Sequence, residues 1–197
     1  MNTLRLVATT ALLSLSTFSF AQVKWAVDPA HTNTRFSVNH LGISMVDGQF
    51  KKLEGNVETK NKTDFNGASI QFDIDVNSVD TRVEARDNHL KTNDFFDAAQ
   101  YPKMTLTHAT LKKVKGNAYT LTGTLTIKDV SKKVTFKVVQ NGGIITDPWG
   151  KTRAGFTAST TINRFDYHLQ YNDKLPSGTP AVGANINIEV NTELVMQ

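Results

Sequence analysis

Ala68-Ser69-Ile70-Gln71-Phe72-Asp73-Ile74-Asp75-Val76 decides how this chain folds. Ile70, Phe72, Ile74 and Val76 fall on one side of an extended backbone, and Gln71, Asp73 and Asp75 on the other. A period of two marks a β-strand with one dry face and one wet face. The pattern recurs along most of the chain. Phe36 and Val38 form one apolar row, and Met104 and Leu106 another. Leu121, Leu125 and Ile127 alternate with Thr120, Thr122, Thr124 and Thr126. Val134, Phe136 and Val138 alternate with Lys133, Thr135 and Lys137. Phe156, Ala158 and Ile162 share a face, as do Ile186, Ile188, Val190 and Leu194. Candidate strands cover residues 23–27, 34–40, a weaker pair within 45–59, then 68–76, 103–110, 119–127, 132–138, 154–162 and 184–195. With almost no helix to cover it, a sheet of this kind hides its apolar surface by curling into a barrel. The expected class is all-β, an antiparallel barrel with a short helical insertion.

Residues 1–21 read as a signal peptide. Arg5 gives the positive start, residues 6–15 are mostly apolar, and Ser19-Phe20-Ala21 is a small-x-small cleavage site. The apolar run is too short for an ordinary membrane span. The mature chain is expected to begin at Gln22, to be exported to the periplasm, and to form a single domain over 22–197. The chain has no Cys, which excludes thiolate metal sites and Cys nucleophiles. Losing Arg5 lowers the formal net charge of +4 by one. The remaining lysine clusters sit beside turns and read as solvated charge.

Lys115-Gly116-Asn117 and the segment 129–132 read as tight hairpins. Asn141-Gly142-Gly143 and Asp147-Pro148-Trp149-Gly150 punctuate a longer connection. One insertion breaks the β pattern. Thr81-x-x-Glu84 reads as a capping box opening a helix that runs to about Lys91. The insertion is expected to lie over one barrel end. Phe95 and Phe96 are adjacent, so one is expected to plug that end and the other to pack elsewhere. The rows alone do not say whether the dry face looks inward. A membrane barrel wants strands of about 9–11 residues, long loops and aromatic girdles. Most strands here are shorter, so a barrel with a dry inside is expected, not an integral membrane protein.

Candidate chemistry is sparse. Of the five histidines, His31, His40, His89, His108 and His168, none forms a compact metal-ligand motif. Asp28-x-x-His31 reads as an Asx turn with a satisfied histidine. His40 and His108 continue apolar rows and would be polar points near a barrel end. Arg86-Asp87-Asn88-His89 is the densest polar cluster, where Arg86 could pair with Asp94 or Asp97 and pin the helix, or touch a ligand head together with His89. No serine sits in G-x-S-x-G or S-x-x-K, and no Gly-rich loop cradles phosphates. Aromatics do not interleave with a basic stripe, so nucleic acid is not expected as a partner. No catalytic residue, metal or cofactor is assigned. The alternative is a His- or metal-dependent hydrolase acting at the barrel mouth with His31, His40 or His89.

The motifs together resemble the YceI-like family of exported bacterial proteins. They are Trp25-x-x-Asp28-x-x-His31-Thr32, Phe36-x-Val38-x-His40, Gly48-x-Phe50 with Gly55, Arg86-Asp87-x-His89-Leu90, Asp94-Phe95-Phe96-Asp97 with Tyr101-Pro102, Gly123-x-Leu125-Thr126-Ile127, and Asn163-Arg164-x-Asp166. The resemblance implies an extended, eight-stranded lipocalin-like antiparallel barrel, often dimeric, whose tunnel takes a polyisoprenoid, an isoprenoid quinone or another long-chain lipid. It implies no enzymatic activity. The ligand-binding residues expected on this basis, with the inward rows, are Phe36, Val38, His40, Phe72, Ile74, Met104, Leu106, Leu125, Phe136, Phe156, Ile186 and Ile188. Head-group candidates are His31, Arg86 and His89. Two positions depart from the family pattern: Asp129 and His168 each stand where glycine is usual.

Overall fold

The computed structural model describes residues 22–197. The leader read at 1–21 lies outside them. The strands are β1 (Val23–Val27), β2 (Asn33–His40), β3 (Ser44–Phe50), β4 (Leu53–Thr59), β5 (Ser69–Asp75), β6 (Val79–Asp80), β7 (Lys103–Lys115), β8 (Ala118–Ile127), β9 (Val130–Thr146), β10 (Thr152–Asn163) and β11 (Val182–Met196), with one short helix, α1 (Glu84–Leu90). Every pairing is antiparallel. The ring runs β1-β4-β5-β7-β8-β9-β10-β11 and closes back on β1, making eight staves.

Three staves are broken. β2 continues β1 beyond the 28–32 turn, β3 leads into β4 across Lys51-Lys52, and β6 follows β5 after a 3₁₀ turn at Val76–Ser78. β11 is long enough to bond both halves of the first stave: it pairs with β2 from Val182 to Asn191 and with β1 from Leu194 to Met196. The hairpin at 116–117 lies at what we call the lower end, and the 28–32 turn interrupts the first stave in the lower part, between β1 and β2. Those at 41–43 and 128–129 lie at the upper end.

The apolar rows face inward. Along β8, Tyr119, Leu121, Leu125 and Ile127 are buried, while the intervening threonines lie on the outside. Lys133, Thr135 and Lys137 of β9 are exposed between buried Val134, Phe136 and Val138. The outer wall of these strands is therefore polar, opposite to a barrel that turns an apolar band to lipid. No helix among the described residues is long and apolar enough to cross a membrane.

Four local expectations change. His108 has φ 49° at a bulge in the β7–β8 register. An extra residue there reverses the alternation, so His108 is exposed and Ala109 takes the inward place. Asn141-Gly142-Gly143 is strand, not loop: β9 runs through it with Gly142 at φ 67°. The capping box does not form. Val83 is the N-cap and offers no side-chain bond, while Thr81 Oγ1 donates to Asp87 Oδ1 at 2.5 Å and accepts from Arg86 Nε at 2.8 Å. Finally, Phe95 and Phe96 both face the barrel interior. They sit in irregular turns, where neighbouring side chains need not diverge as they do in a strand.

Two inward phenylalanines lie flat on glycines of the adjacent strand. A Cβ at Gly48 would come 2.3 Å from the Phe36 ring, and one at Gly55 would come 2.2 Å from Phe72 and 2.4 Å from the Gln71 carbonyl oxygen. The glycines are thus the floor on which both rings rest. Gly55→Ala should destabilise the fold by about 1–3 kcal/mol, the usual penalty of overpacking. Gly143→Ala, where a Cβ meets nothing within 4 Å, should stay within about 0.5 kcal/mol. Denaturant melts of the two variants against the parent check the pair, and equal melts would refute the packing argument.

Candidate ligand chamber

The barrel is filled unevenly. Its lower half is solid with aromatic rings. Trp25 is fully buried and donates Nε1–H to Thr59 Oγ1 at 3.0 Å. Its ring centroid is 4.9 Å from that of Phe65, and Phe65 is 4.8 Å from Phe156. Tyr119 completes the plug edge-on to Phe156 at 6.4 Å. The upper half is hollow. A chamber of about 170 Å³ opens above the plug, and its wall presents only carbon to the lumen.

Each stave contributes the inward row that alternation assigns it. Phe36 and Val38 come from β2, Phe72 and Ile74 from β5, Met104 and Leu106 from β7, Leu125 from β8, Phe136 from β9, and Ile186 and Ile188 from β11. Leu90, Phe95 and Phe96 of the insertion roof it, together with Leu169. Phe96 stands edge-on to Phe50 at 5.6 Å. Phe95 packs on Tyr171 at 5.0 Å and on His89 at 5.1 Å. The roof is thus a seam between the insertion and the 164–181 loop.

Five expected site residues lie off this wall. Phe156 is inward but too low, so it serves the plug. His40 ends the β2 row past the chamber, half-buried at the rim. His31 sits at the lower end, 62% exposed, bonded to Asp28 through Nδ1 at 2.9 Å. Arg86 is spent on Thr81, whose carbonyl accepts from its Nη2 at 2.8 Å; it pairs with neither Asp94 nor Asp97. His89 instead holds Asp94 through Nε2 at 2.8 Å and is exposed. His31 lies before β2 and bonds Asp28, His40 ends β2, and His89 bonds Asp94 on the insertion, so the three are not gathered into one mouth site. Sequence reasoning placed one of Phe95 and Phe96 at the barrel end, where both lie, and missed Leu169 in the roof and Arg164 in the wall. A signal for the last existed: Arg164 continues the inward row of Phe156, Ala158 and Ile162.

Two polar features need an account. Donor atoms of Asp28, His31 and Glu193 lie within 4.8 Å of one another, close enough for a metal ion. The Arg153 guanidinium already occupies that cluster. Its Nη1 donates to Asp28 Oδ2 and Glu193 Oε1 at 2.6 Å each, and its Nε donates to Asp147 Oδ2 at 2.5 Å. His31 and then Arg153 hold the Asp28 carboxyl down at about 2. Asp28 in turn raises His31. The second feature is Thr34, on the chamber wall and 4% exposed, whose Oγ1 has no hydrogen-bond partner among the described residues. A larger depression of about 890 Å³ lies outside the barrel among Arg35, Asp47, Lys137 and Asn187; it is an open, polar stretch of the wet face.

This shape is shared by known proteins. The YceI-like domain pattern matches residues 25–194. The chain belongs to the YceI-like family. Among its relatives is a UPF0312 protein of Pseudomonas putida strain W619, 32% identical over 188 residues, covering 95% of this chain and 93% of that one. Another, from Staphylococcus epidermidis strain RP62A, is 34% identical over 174 residues, covering 86% and 96%. Of solved YceI-like structures, the Campylobacter jejuni YceI protein superposes with a TM-score of 0.60 at 27% identity, covering 93% of this chain and 98% of that one. BcnA of Burkholderia cenocepacia gives 0.70 at 24% identity, covering 85% and 98%. A polyisoprenoid-binding domain from Saccharophagus degradans, implicated in plant cell wall breakdown, gives 0.63 at 15%, covering 88% and 98%. The last two share the fold.

Two predictions follow from the polar features. The Asp28 carboxyl is held below its ordinary 3.8, so its stabilisation is present above about pH 4 and drains as pH falls toward 2. His31 is raised above 6.5, so its share is complete below that value and is lost as pH rises through the shifted one. Thermal melts across pH should show both slopes, and Arg153→Met should flatten the acid one. Thr34→Val keeps the shape and removes the orphan hydroxyl. It should leave stability unchanged or raise it by about 1 kcal/mol, and a lowered melting temperature would show that the hydroxyl has a partner in solution.

Proposed function

We propose that this YceI-like protein is a periplasmic binding and carrier protein that sequesters a long-chain isoprenoid, isoprenoid quinone or fatty-acid-like lipid in its barrel chamber. One observation carries the reading: above a solid aromatic plug, eight staves enclose a space that the chain's own side chains leave empty, with a wall offering carbon alone. Such a wall binds by excluding water. Each buried methylene contributes roughly 0.8 kcal/mol, so about a dozen offset most of an association cost of roughly 4–15 kcal/mol. At about 170 Å³ the chamber is smaller than ordinary ligand pockets, which start near 300 Å³. It therefore favours a thread-like tail over a bulky ring. Rotatable Met104 and the Phe36 and Phe72 rings lining it can give way along its length.

The polyisoprenoid-binding neighbour of the same fold supports the ligand class. The leader read at 1–21 supports the periplasm. The bare edge of β3 at residues 44–48, which meets β6 only through Gln49 and Phe50, is a place where two copies could pair. The reading assigns no chemistry to the protein: among the described residues, the one carboxylate–histidine group compact enough for a metal is centred on Arg153.

Organic extraction and mass spectrometry of freshly purified protein should recover a long-chain lipid in about equimolar amount. Ala158 lies on the wall, and Ala158→Phe should fill the lumen, keep the fold and abolish retention. Leu106→Arg should abolish retention by placing a charge there. Lipid recovered equally from a folded Ala158→Phe protein would defeat the assignment of the chamber.

A further inference from the structure

Arg164 is an unusual residue to find in a greasy wall. It is 2% exposed and lies in the chamber's upper wall, behind a surface that presents only carbon to the lumen; a head group would meet its N–H groups once those carbons part. Among the described residues no carboxylate pairs with it. Its partners are three backbone carbonyls: Gly183 accepts from Nε at 2.9 Å, Leu169 from Nη1 at 2.7 Å, and Val182 from Nη2 at 3.0 Å. Phe165 covers one face of the guanidinium, with Cζ 4.1 Å from the ring centroid. The three carbonyls knit the loop onto β11, but none brings a negative charge.

The contrast with Arg153 sharpens the point. That arginine, at the lower end, sits among three carboxylates. Arg164 is more deeply buried and has none. A guanidinium carries five N–H donors, and the three bonds leave two unmatched. A cation in a low-dielectric site without a counter-charge is costly, and burial alone pushes its proton affinity down. The three carbonyl bonds account for the fork's position, but not for a buried charge left without a counter-charge.

We infer that Arg164 is the head-group subsite of the chamber, and that the ligand supplies the missing charge: a carboxylate or phosphate on a long apolar tail. This rests on the chamber reading above and narrows it. The geometry fits one orientation. Arg164 lies at the upper end beside the roof formed by Leu90, Phe96 and Leu169. The plug blocks the lower end, so a tail points down and the head stays under the roof. Planar, forked donors match a carboxylate or phosphate edge. None of the histidines expected to read the head reaches the lumen.

Matched pairs test this in the full-length mature protein: hexadecanoate against hexadecanol, and farnesyl phosphate against farnesol, by tryptophan quenching or calorimetry. The anion of at least one pair should bind about tenfold tighter or more; which pair discriminates tells carboxylate from phosphate. Equal binding within both pairs would leave the chamber standing and overturn the anionic head. Binding of none of the four would overturn the chamber and this inference with it. Arg164→Met, if folded, should bind acid and alcohol alike; retained discrimination would refute the assignment to Arg164. If that variant does not fold, the Arg164 Nε–H resonance of the ¹⁵N-labelled parent takes its place. It should shift with the discriminating anion and not with its alcohol, and an unmoved resonance would overturn the proposal.

Discussion

Closure of the sheet is the constraint on which everything else depends. An eight-stranded barrel has an interior just wide enough for side chains to fill it or for one slim guest to enter. Here closure rests on β11, whose free edge bonds β2 along its first part and β1 along its last. Because both halves of the broken first stave hang on one strand, the barrel is longer than any of its short strands. A long barrel has two storeys. Large aromatics in the lower one make a core, and the upper one is left to the aliphatic rows and a roof. The same fold thereby gains its stability and its hollow at different heights, with neither at the expense of the other.

The sequence shows the walls clearly because alternation is a property of each strand alone. Residues 68–76 need no partner to reveal their dry side, and every inward row from β2 to β11 could be written down that way. What alternation does not carry is height. Phe156 and Phe136 look alike in sequence, yet one belongs to the plug and the other to the lumen, and only the register between strands separates them. Nor does it survive an extra residue: the bulge at His108 turns that side chain outward and brings Ala109 in, over Gly123. The insertion was legible as a cover over one barrel end, but the inward placement of both its phenylalanines was hidden for a third reason. Phe95 and Phe96 lie in turns whose geometry no period describes.

Local polar motifs proved less portable than apolar rows. Thr81 and Glu84 have the spacing of a capping box, but Asp87 reaches Thr81 first and accepts from both its N–H and its hydroxyl. Arg86 then follows Thr81 instead of a distant carboxylate. Such outcomes turn on which of several nearby acceptors wins, and sequence spacing does not rank them. Asp28 is the opposite case. Its Asx turn to Ala30 N and its bond to His31 Nδ1 are short-range, so the motif was readable as it stands. The two departures from the family pattern, Asp129 and His168, meet at the upper rim, 3.1 Å apart. His168 adopts φ 58° there, the backbone glycine would have supplied. The strain of a side chain in that conformation is answered by a contact only a side chain can make.

The placement of charge follows the same division between storeys. At the lower end, where the inside is solid and no guest can reach, Arg153 is matched by Asp28, Asp147 and Glu193 at the surface. There the charges hold turns together and nothing about them calls for a ligand. At the upper end, the insertion and the 164–181 loop meet over an empty space, and that wall holds the Thr34 hydroxyl, which has no partner among the described residues, and the Arg164 guanidinium, which has carbonyl partners but no counter-charge. A chain selected only for stability would have paired or removed both, since each is expensive where it stands. Their position beside an apolar void inside the barrel is the physical reason to treat the void as a site and not as a packing defect. The plug supports the same view from below: a floor built of Trp25, Phe65 and Phe156 sets a fixed depth, so whatever enters is measured by the length of its tail before its head can be read.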